Sequence, residues 1–456
     1  MKKSFVAGLM FATALNMSVS ARAATIFEAL SETYNTNPTL QAQRAYLRSI
    51  DENVAIAKSG FRPTLSVDGG YRTKNSNVDT DSQVARVGGG DTDTTSVAAK
   101  ISQPLFSGFS TVNSVKSADQ YVRAEQNNLY NVEQNVFLEA ATAYLDVLRD
   151  TAIVKLQKNN EKLLKKRLDE TLQRFNVGEV TRTDVSQARA RHSQAKSDRI
   201  ASEGTLQASK ANYVKLIGSQ PDKLVEPENI KTFLPQAYDE ALEYALQKNF
   251  SIRQAKNMLN SKGYDVYTNT GALLPQVSAD AAASHTEADN SGYTGDVTTD
   301  DVEFGINVSV PLYEGGATRA KIRQSKYQKW QAQEAVLEAR RAVEATVSSA
   351  WEYMKANEAQ ILAIKDQVKA NAIALDGVQK EEALGNRTVL DVLDAYQELL
   401  NSNVNEVTAR RDYYVSAMSL LVAMGKLTAK DLNLDVKLYD AKKFYKETRG
   451  KWLSLN

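Results

Sequence analysis

Residues 301–324 read DVEFGINVSVPLYEGGATRAKIRQ, and a change of period inside this stretch decides the fold. Val302, Phe304, Ile306, Val308 and Val310 alternate with Glu303, Gly305, Asn307 and Ser309. One face is apolar and the other polar, which is strand periodicity. The segment Pro311-Leu312-Tyr313-Glu314-Gly315 ends the alternation. From Ala317 to Leu384 there is then no Pro, and Gly377 is the single Gly. A strand therefore feeds directly into one helix several times longer than the usual 11–12 residues.

The same passage occurs earlier. Pro104-Leu105-Phe106-Ser107-Gly108 matches Pro311-Leu312-Tyr313-Glu314-Gly315, and Thr111 to Phe175 contains neither Pro nor Gly. Pro63-Thr64-Leu65-Ser66-Val67 matches Pro275-Gln276-Val277-Ser278-Ala279, and Ala29-Leu30 matches Ala241-Leu242. Gly178-Glu179-Val180-Thr181 with Asp184-Val185 matches Gly385-Asn386-Arg387-Thr388 with Asp391-Val392. The order of landmarks is kept, so one architecture is built twice.

Each half reads as helix, two strands, two helices. The first repeat spans 24–217, with an opening helix near 25–59, strands 64–75 and 95–106, and stalk helices 111–176 and 181–217. A linker, 218–237, carries Pro221, Pro227 and Pro235. The second repeat spans 238–425, with strands 275–287 and 302–313 and stalk helices 317–384 and 388–425. The tail, 426–456, is expected to return to the middle of the stalk. Ile361, Val368 and Leu375 recur at sevens, a coiled-coil spacing.

The strands have about the length that a tilted bilayer-crossing strand needs. A soluble sandwich with one wet face shows the same alternation. Four strands cannot close a useful barrel, and lipid forbids an open edge. The strands must then be completed by further copies of the chain. Two copies would give eight strands and three would give twelve, and periodicity does not choose. Phe61, Phe106, Phe109 and Tyr313 gather where strands meet stalks, as an interfacial girdle or as junction packing.

Composition narrows the function. Lys2 and Lys3, an apolar run from Phe5 to Leu15, and Ala21-Arg22-Ala23 form a secretory signal peptide over 1–23. There is no Cys, hence no disulfide, lipidation cysteine or thiol ligand. The formal charge of +1 gives no reason to expect nucleic acid. His192 and His285 are the two histidines, and neither sits in a ligand motif. There is no P-loop and no nucleophile elbow. No enzyme, cofactor or metal is expected.

The stalk tips carry the informative polar residues. Gly178 and Gly385 suit a positive-φ helix end. Thr181 and Thr388 suit N-caps, with Asp184 and Asp391 as capping-box partners three residues on. Asp391 and Asp394 share one helix face. Repeated around an axis, such carboxylates would favour cations. Like-charge repulsion would also raise some of their pKa values. Arg387 is placed to pair with Asp391 or to reach the matching hairpin at Asp184.

Three motifs together carry a family resemblance. They are Arg174-Phe175-Asn176-Val177-Gly178, Thr183-Asp184-Val185, and Gly385-Asn386-Arg387-Thr388-Val389-Leu390-Asp391-Val392-Leu393-Asp394-Ala395. With the strand exits at Pro104 and Pro311, they make the chain resemble the TolC family of outer-membrane efflux and type I secretion channels. The resemblance covers essentially the whole mature chain. It implies an α+β membrane protein, a homotrimer with one twelve-stranded transmembrane β-barrel, four strands per chain. A long periplasmic α-helical barrel continues it. It implies an aperture at Asp391 and Asp394, and a restraint network at Arg387 and Asp184. Glu382 stands where the family usually has a tyrosine, and Arg167 takes the place of another polar member. The two are expected to form a substitute ion pair. The tips at Gly178, Thr181, Gly385 and Thr388 would meet a periplasmic adaptor, itself joined to an inner-membrane RND or ABC transporter. The setting would be the outer membrane of a Gram-negative bacterium. A non-channel periplasmic coiled-coil adaptor is the alternative, disfavoured by two hairpins and four bilayer-length strands.

Overall fold

The computed structural model describes residues 25–76, 90–227, 230–290 and 296–452. The expected signal peptide, 1–23, and residues 77–89 and 291–295 between the strands lie outside the described residues. The elements are α1 (Ile26–Thr36), α2 (Pro38–Ser59), β1 (Thr64–Ser76), β2 (Gly90–Ser107), α3 (Ser110–Asn176) and α4 (Arg182–Ile217). The second repeat supplies α5 (Tyr238–Lys248), α6 (Phe250–Gly271), β3 (Gln276–Asn290), β4 (Val297–Ser309), α7 (Ala317–Ala383) and α8 (Val389–Met424). A 3-10 turn, Ile230–Phe233, lies in the linker, and α9 (Lys443–Thr448) lies in the tail.

The strands form one antiparallel sheet in the order β1-β2-β3-β4. Its register aligns the alternation of all four strands. Leu65, Ile101, Ala281 and Phe304 form one cross-strand row, and Val67, Ala99, Ala283 and Val302 the next. The opposite face carries Ser66, Lys100, Ala282 and Glu303, then Asp68, Ala98, Ser284 and Asp301. Leu65, Val67, Val302, Phe304, Ile306 and Val308 are all exposed, so none of the described residues covers the apolar face. From Val302 to Val310 the apolar alternation is nine residues long, within the roughly 9–11 that a spanning strand needs. The outer edges of β1 and β4 have no strand partner among the described residues.

Strand ends depart from expectation. β2 starts at Gly90 rather than residue 95, because its polar Asp-Thr stretch still pairs with β1 and the Asn75 amide donates to Asp91 Oδ1 at 2.7 Å. β4 stops at Ser309 rather than running on to 313. Pro311 has no N–H to give a ladder.

Below the sheet the wall continues as helices. α3 and α7 are each 67 residues, about 100 Å long. Near the sheet α2 and α6 flank α3, and α6 packs on α7. Towards the tips α4 and α8 flank α3, and α8 packs on α7. The heptad positions Ile361, Val368 and Leu375 lie on the less exposed side of α7, and Asn371 donates to the Glu398 carbonyl of α8 at 3.2 Å.

The opening helix expected over 25–59 is two helices. The break is Asn37, whose Oδ1 accepts from Thr39 N at 3.0 Å and caps α2, with Pro38 at its first position. Its Nδ2 donates to the Leu216 carbonyl at 2.9 Å, at the end of α4. Thr36 Oγ1 donates to the next carbonyl, Ile217, at 2.9 Å. The second repeat is built alike. Asn249 Oδ1 accepts from Ser251 N at 2.8 Å, and its Nδ2 donates to the Ala423 carbonyl of α8 at 2.8 Å. Each amide thus joins the C-terminus of a lower helix to the N-terminus of an upper one, satisfying orphan groups on both.

The core sits at these joints. Leu30, Leu40, Phe137, Tyr144, Leu145, Ile217, Ile230, Ile252, Met418 and Leu420 are fully buried there. The tail closes the same core with Leu427, Ala429, Leu432 and Leu434. It does not stay at the stalk's middle. Tyr445 donates to Asp119 Oδ1 at 2.5 Å, Lys58 Nζ donates to the Arg449 carbonyl at 3.0 Å, and Trp452 lies under Arg62 beside the sheet. Two aromatic–cation stacks and these bonds draw it up along α2.

Candidate functional site at the hairpin tips

Both tips turn through a positive-φ glycine, Gly178 at φ 83° and Gly385 at φ 80°. In each, the residue after the glycine reaches back to the helix. Glu179 N donates to the Arg174 carbonyl and Asn386 N to the Glu381 carbonyl, both at 2.9 Å. This is a Schellman-type end. Capping boxes then start the returning helices. Thr181 N and Oγ1 donate to Asp184 Oδ2 at 2.8 and 2.7 Å. Thr388 N and Oγ1 donate to Asp391 Oδ2 at 2.9 and 2.8 Å. A box of this kind contributes about 1 kcal/mol to its helix. A small apolar cluster of Leu164, Ala188, Ala195 and Leu393 packs the two hairpins together above the turns.

The carboxylates at the tip are locally engaged. The Thr388 backbone N–H and hydroxyl hold the Asp391 carboxyl below its ordinary value, with a further contribution from Arg387. Within one chain this is opposite to the shift that like-charge repulsion would give. Asp394 accepts from Arg191 of α4 at 2.5 Å. That pair is half exposed and worth about 1 kcal/mol at most.

Arg387 does not reach Asp184 or bond Asp391 within the chain. Its Nε donates to Glu381 Oε2 at 2.8 Å, across its own turn. Glu382 does meet Arg167, at 3.9 Å, but its tighter partner is Arg174, which donates to Glu382 Oε1. The Glu382 side chain is only 9% exposed. A carboxylate that buried must be paired, and here two guanidiniums of α3 surround it. Arg174 also donates to Glu179 Oε2 at 3.1 Å, in the turn itself. Arg167 lies 5.7 Å from the Tyr396 ring, whose hydroxyl accepts from Gln379.

Arg174, Arg191, Val177 and Leu384 join the candidate site only in the structure. Val177 and Leu384 are 73% and 77% exposed, one immediately before each turn glycine. Their matched places in the two repeats were the available signal. Arg191 gave none, and Arg174, although it opens a quoted motif, gave no sign of its partner, because both partners lie on the other hairpin. Among the described residues no group of three His, Asp or Glu is arranged to hold a metal.

Comparison with known proteins fits this architecture. The chain is 37% identical over 437 residues to the outer membrane efflux protein BepC of Brucella suis biovar 1 (strain 1330), covering 96% of this chain and 93% of that one. It is 26% identical over 408 residues to the outer membrane protein TolC of Escherichia coli (strain K12), covering 87% and 81%. The CmeC outer membrane channel of Campylobacter jejuni shares the fold, with a TM-score of 0.75 at 14% identity over 93% of this chain and 89% of that one. The family model described as outer membrane efflux protein matches twice, at residues 29–219 and 241–426. Those two matches coincide with the two repeats, so the chain belongs to the outer membrane efflux protein family.

Proposed function

We propose that the chain is the exit duct of an export machine, an outer-membrane channel that performs no chemistry and is gated at its periplasmic end. The observation that carries this is the sheet. Among the described residues nothing covers its apolar face or pairs with its two edges, and each half of it continues into a helix about 100 Å long. Backbone groups on those edges must be paired in lipid. A homotrimer answers that need with a closed twelve-stranded barrel, the polar face inward. The stalks then extend through the periplasm as a tube. Among the described residues no helix is long and apolar enough to cross a membrane; the crossing role given to the strands rests on their bare apolar face and their length.

At the far end, Asp391 and Asp394 would ring the aperture and favour cations. Arg387, Asp184, Glu382 and Arg167 would restrain the closed state, with Arg387 acting between copies. The turns at Gly178, Thr181, Gly385 and Thr388, with Val177 and Leu384 as apolar knobs, would receive a periplasmic membrane-fusion adaptor. An inner-membrane RND or ABC transporter would supply the energy. The service is multidrug efflux, type I secretion or both.

The test is the conductance of the detergent-purified protein in a planar bilayer across a salt gradient. A small cation-selective resting conductance is expected, and replacing Asp391 and Asp394 together by Asn should weaken the cation preference. Protein that stays monodisperse without detergent and never inserts would refute the channel.

A further inference from the structure

We propose that the C-terminal tail is a foot on the membrane, whose basic outer side and Trp452 take anionic phospholipid headgroups at the periplasmic rim of the barrel. The inference rests on the reading of the strands as bilayer-crossing elements and names the lipid class that meets them there. The described tail ends at Trp452, with the Arg62 guanidinium 4.8 Å from its ring centroid. Arg62 stands two residues before β1, and Leu65 opens the apolar face. At about 3.3 Å per residue, Arg62 lies within roughly 10 Å of that rim. Trp452 is 65% exposed and Phe61 is 49% exposed. An indole has an apolar body and a polar N–H, and a guanidinium can reach water from beside it, so the pair suits a lipid–water boundary.

The inner side of the tail is committed to the fold. Thr448 is fully buried, the Tyr445 hydroxyl donates to Asp119, and the Arg48 guanidinium covers the Phe444 ring. The exposed side chains of the same stretch are Lys442, Lys443, Lys446, Glu447 and Arg449, four cations against one carboxylate. The three lysines have no ion-pair partner among the described residues. Lys58 adds to the excess, because its ammonium donates to the Arg449 carbonyl at 3.0 Å and not to a carboxylate. Burial and then the Arg449 guanidinium hold that ammonium below its ordinary value, with Asp119 opposing. Charge of one sign crowded in this way repels itself, and anionic headgroups relieve the repulsion. A soluble anion would meet the cations and leave Trp452 bare. A phospholipid surface covers both, and it borders the apolar face of the sheet.

The test places full-length protein in phosphatidylcholine vesicles, with Trp330→Phe and Trp351→Phe leaving Trp452 as the sole tryptophan. Brominated phosphatidylglycerol should quench Trp452 severalfold more strongly than brominated phosphatidylcholine at the same mole fraction. Adding Lys443→Glu and Lys446→Glu, at two exposed positions, should abolish that preference, and high salt should reduce it. Should the tryptophan replacements fail to fold, native mass spectrometry of the otherwise wild-type protein counts retained phosphatidylglycerol, which the lysine substitutions should lower severalfold. Equal quenching by the two lipids, or none by either, in protein that conducts in planar bilayers would overturn the foot and leave the channel standing. A preference that survives the lysine substitutions would overturn it too. If those substitutions instead abolish cosedimentation with purified peptidoglycan, the surface belongs to the cell wall. Protein that never inserts would overturn the channel reading, and the foot with it.

Discussion

Thr388 shows how much a single residue fixes at the tip. Its hydroxyl accepts from Asp391 N at 3.2 Å while donating to the Asp391 carboxylate. The carboxyl is therefore stabilised in its ionised form, and its pKa lies below the ordinary 3.8. A depressed acid contributes stability above its unfolded pKa and loses it as the pH falls through the folded one. Amides at the start of α8 should thus lose exchange protection below about pH 4. Asp391→Asn should show little such pH dependence, and an unchanged profile would remove the capping role. The capping boxes at both tips were legible in the sequence because their partners are three residues apart. The pairings of Arg174 with Glu382 and of Arg191 with Asp394 were not, because each depends on how two helices are rotated against one another.

At the scale of elements, two joints decide how the wall is assembled. Asn249 is buried and uses both ends of its amide. Asn249→Ala removes an N-cap and leaves the Ala423 carbonyl unpaired, a loss of about 1–3 kcal/mol. Asn37→Ala should lose less at the joint, because Thr36 still donates to the Ile217 carbonyl. Denaturant unfolding of the two variants orders them. The Asn37-Pro38 dipeptide carried a helix-start signal that the long apolar pattern around it concealed. The tail offers a second test. Glu133 on α3 is buried, and desolvation pushes its carboxyl up to about 7, although it accepts from Ala429 N at 2.7 Å and faces Arg44. Asp431 adds to the rise. A raised acid binds its proton more tightly in the folded state, so docking of the tail should weaken as pH climbs from about 4.5 to about 7. The span is on the order of 3 kcal/mol. Glu133→Gln keeps an acceptor for Ala429 and should flatten that slope in hydrogen exchange of residues 427–434.

At the scale of the whole molecule, the proposed channel needs further copies of the chain to pair the outer edges of β1 and β4, which have no strand partner among the described residues. In that proposed assembly the apolar face of the sheet would meet lipid and the polar face would line the lumen. Phe304→Arg places a charge near the middle of the apolar face and should destabilise the barrel by about 2–4 kcal/mol. Glu303→Arg, one residue away on the polar face, should change stability little and ion selectivity more. Unfolding in detergent and bilayer conductance separate the two effects. If both substitutions destabilise equally, the faces have been assigned wrongly. α7 carries further uncovered apolar side chains, among them Tyr327, Trp330, Tyr353 and Ile373. α3, flanked on both sides by its own chain, buries far more of its length. Native mass spectrometry is expected to give three copies.

The sequence by itself determined everything that repeats over short distances. Strand alternation has period two, helix length follows from absent Pro and Gly, and caps and turns are read within a few residues. Duplication then doubled each signal, which is why the element order and the tip turns stood out from a single chain. Tertiary structure alone decided which groups meet across two hundred residues. Those contacts are the Asn37 and Asn249 joints, the tail's climb along α2 and the Arg174–Glu382 tie. Such contacts follow from where packed helices stop and how they are rotated, and these are set by the burial of Phe137, Tyr144 and Met418 in a shared core. No local pattern encodes that geometry, because it is the sum of many weak contacts from both repeats.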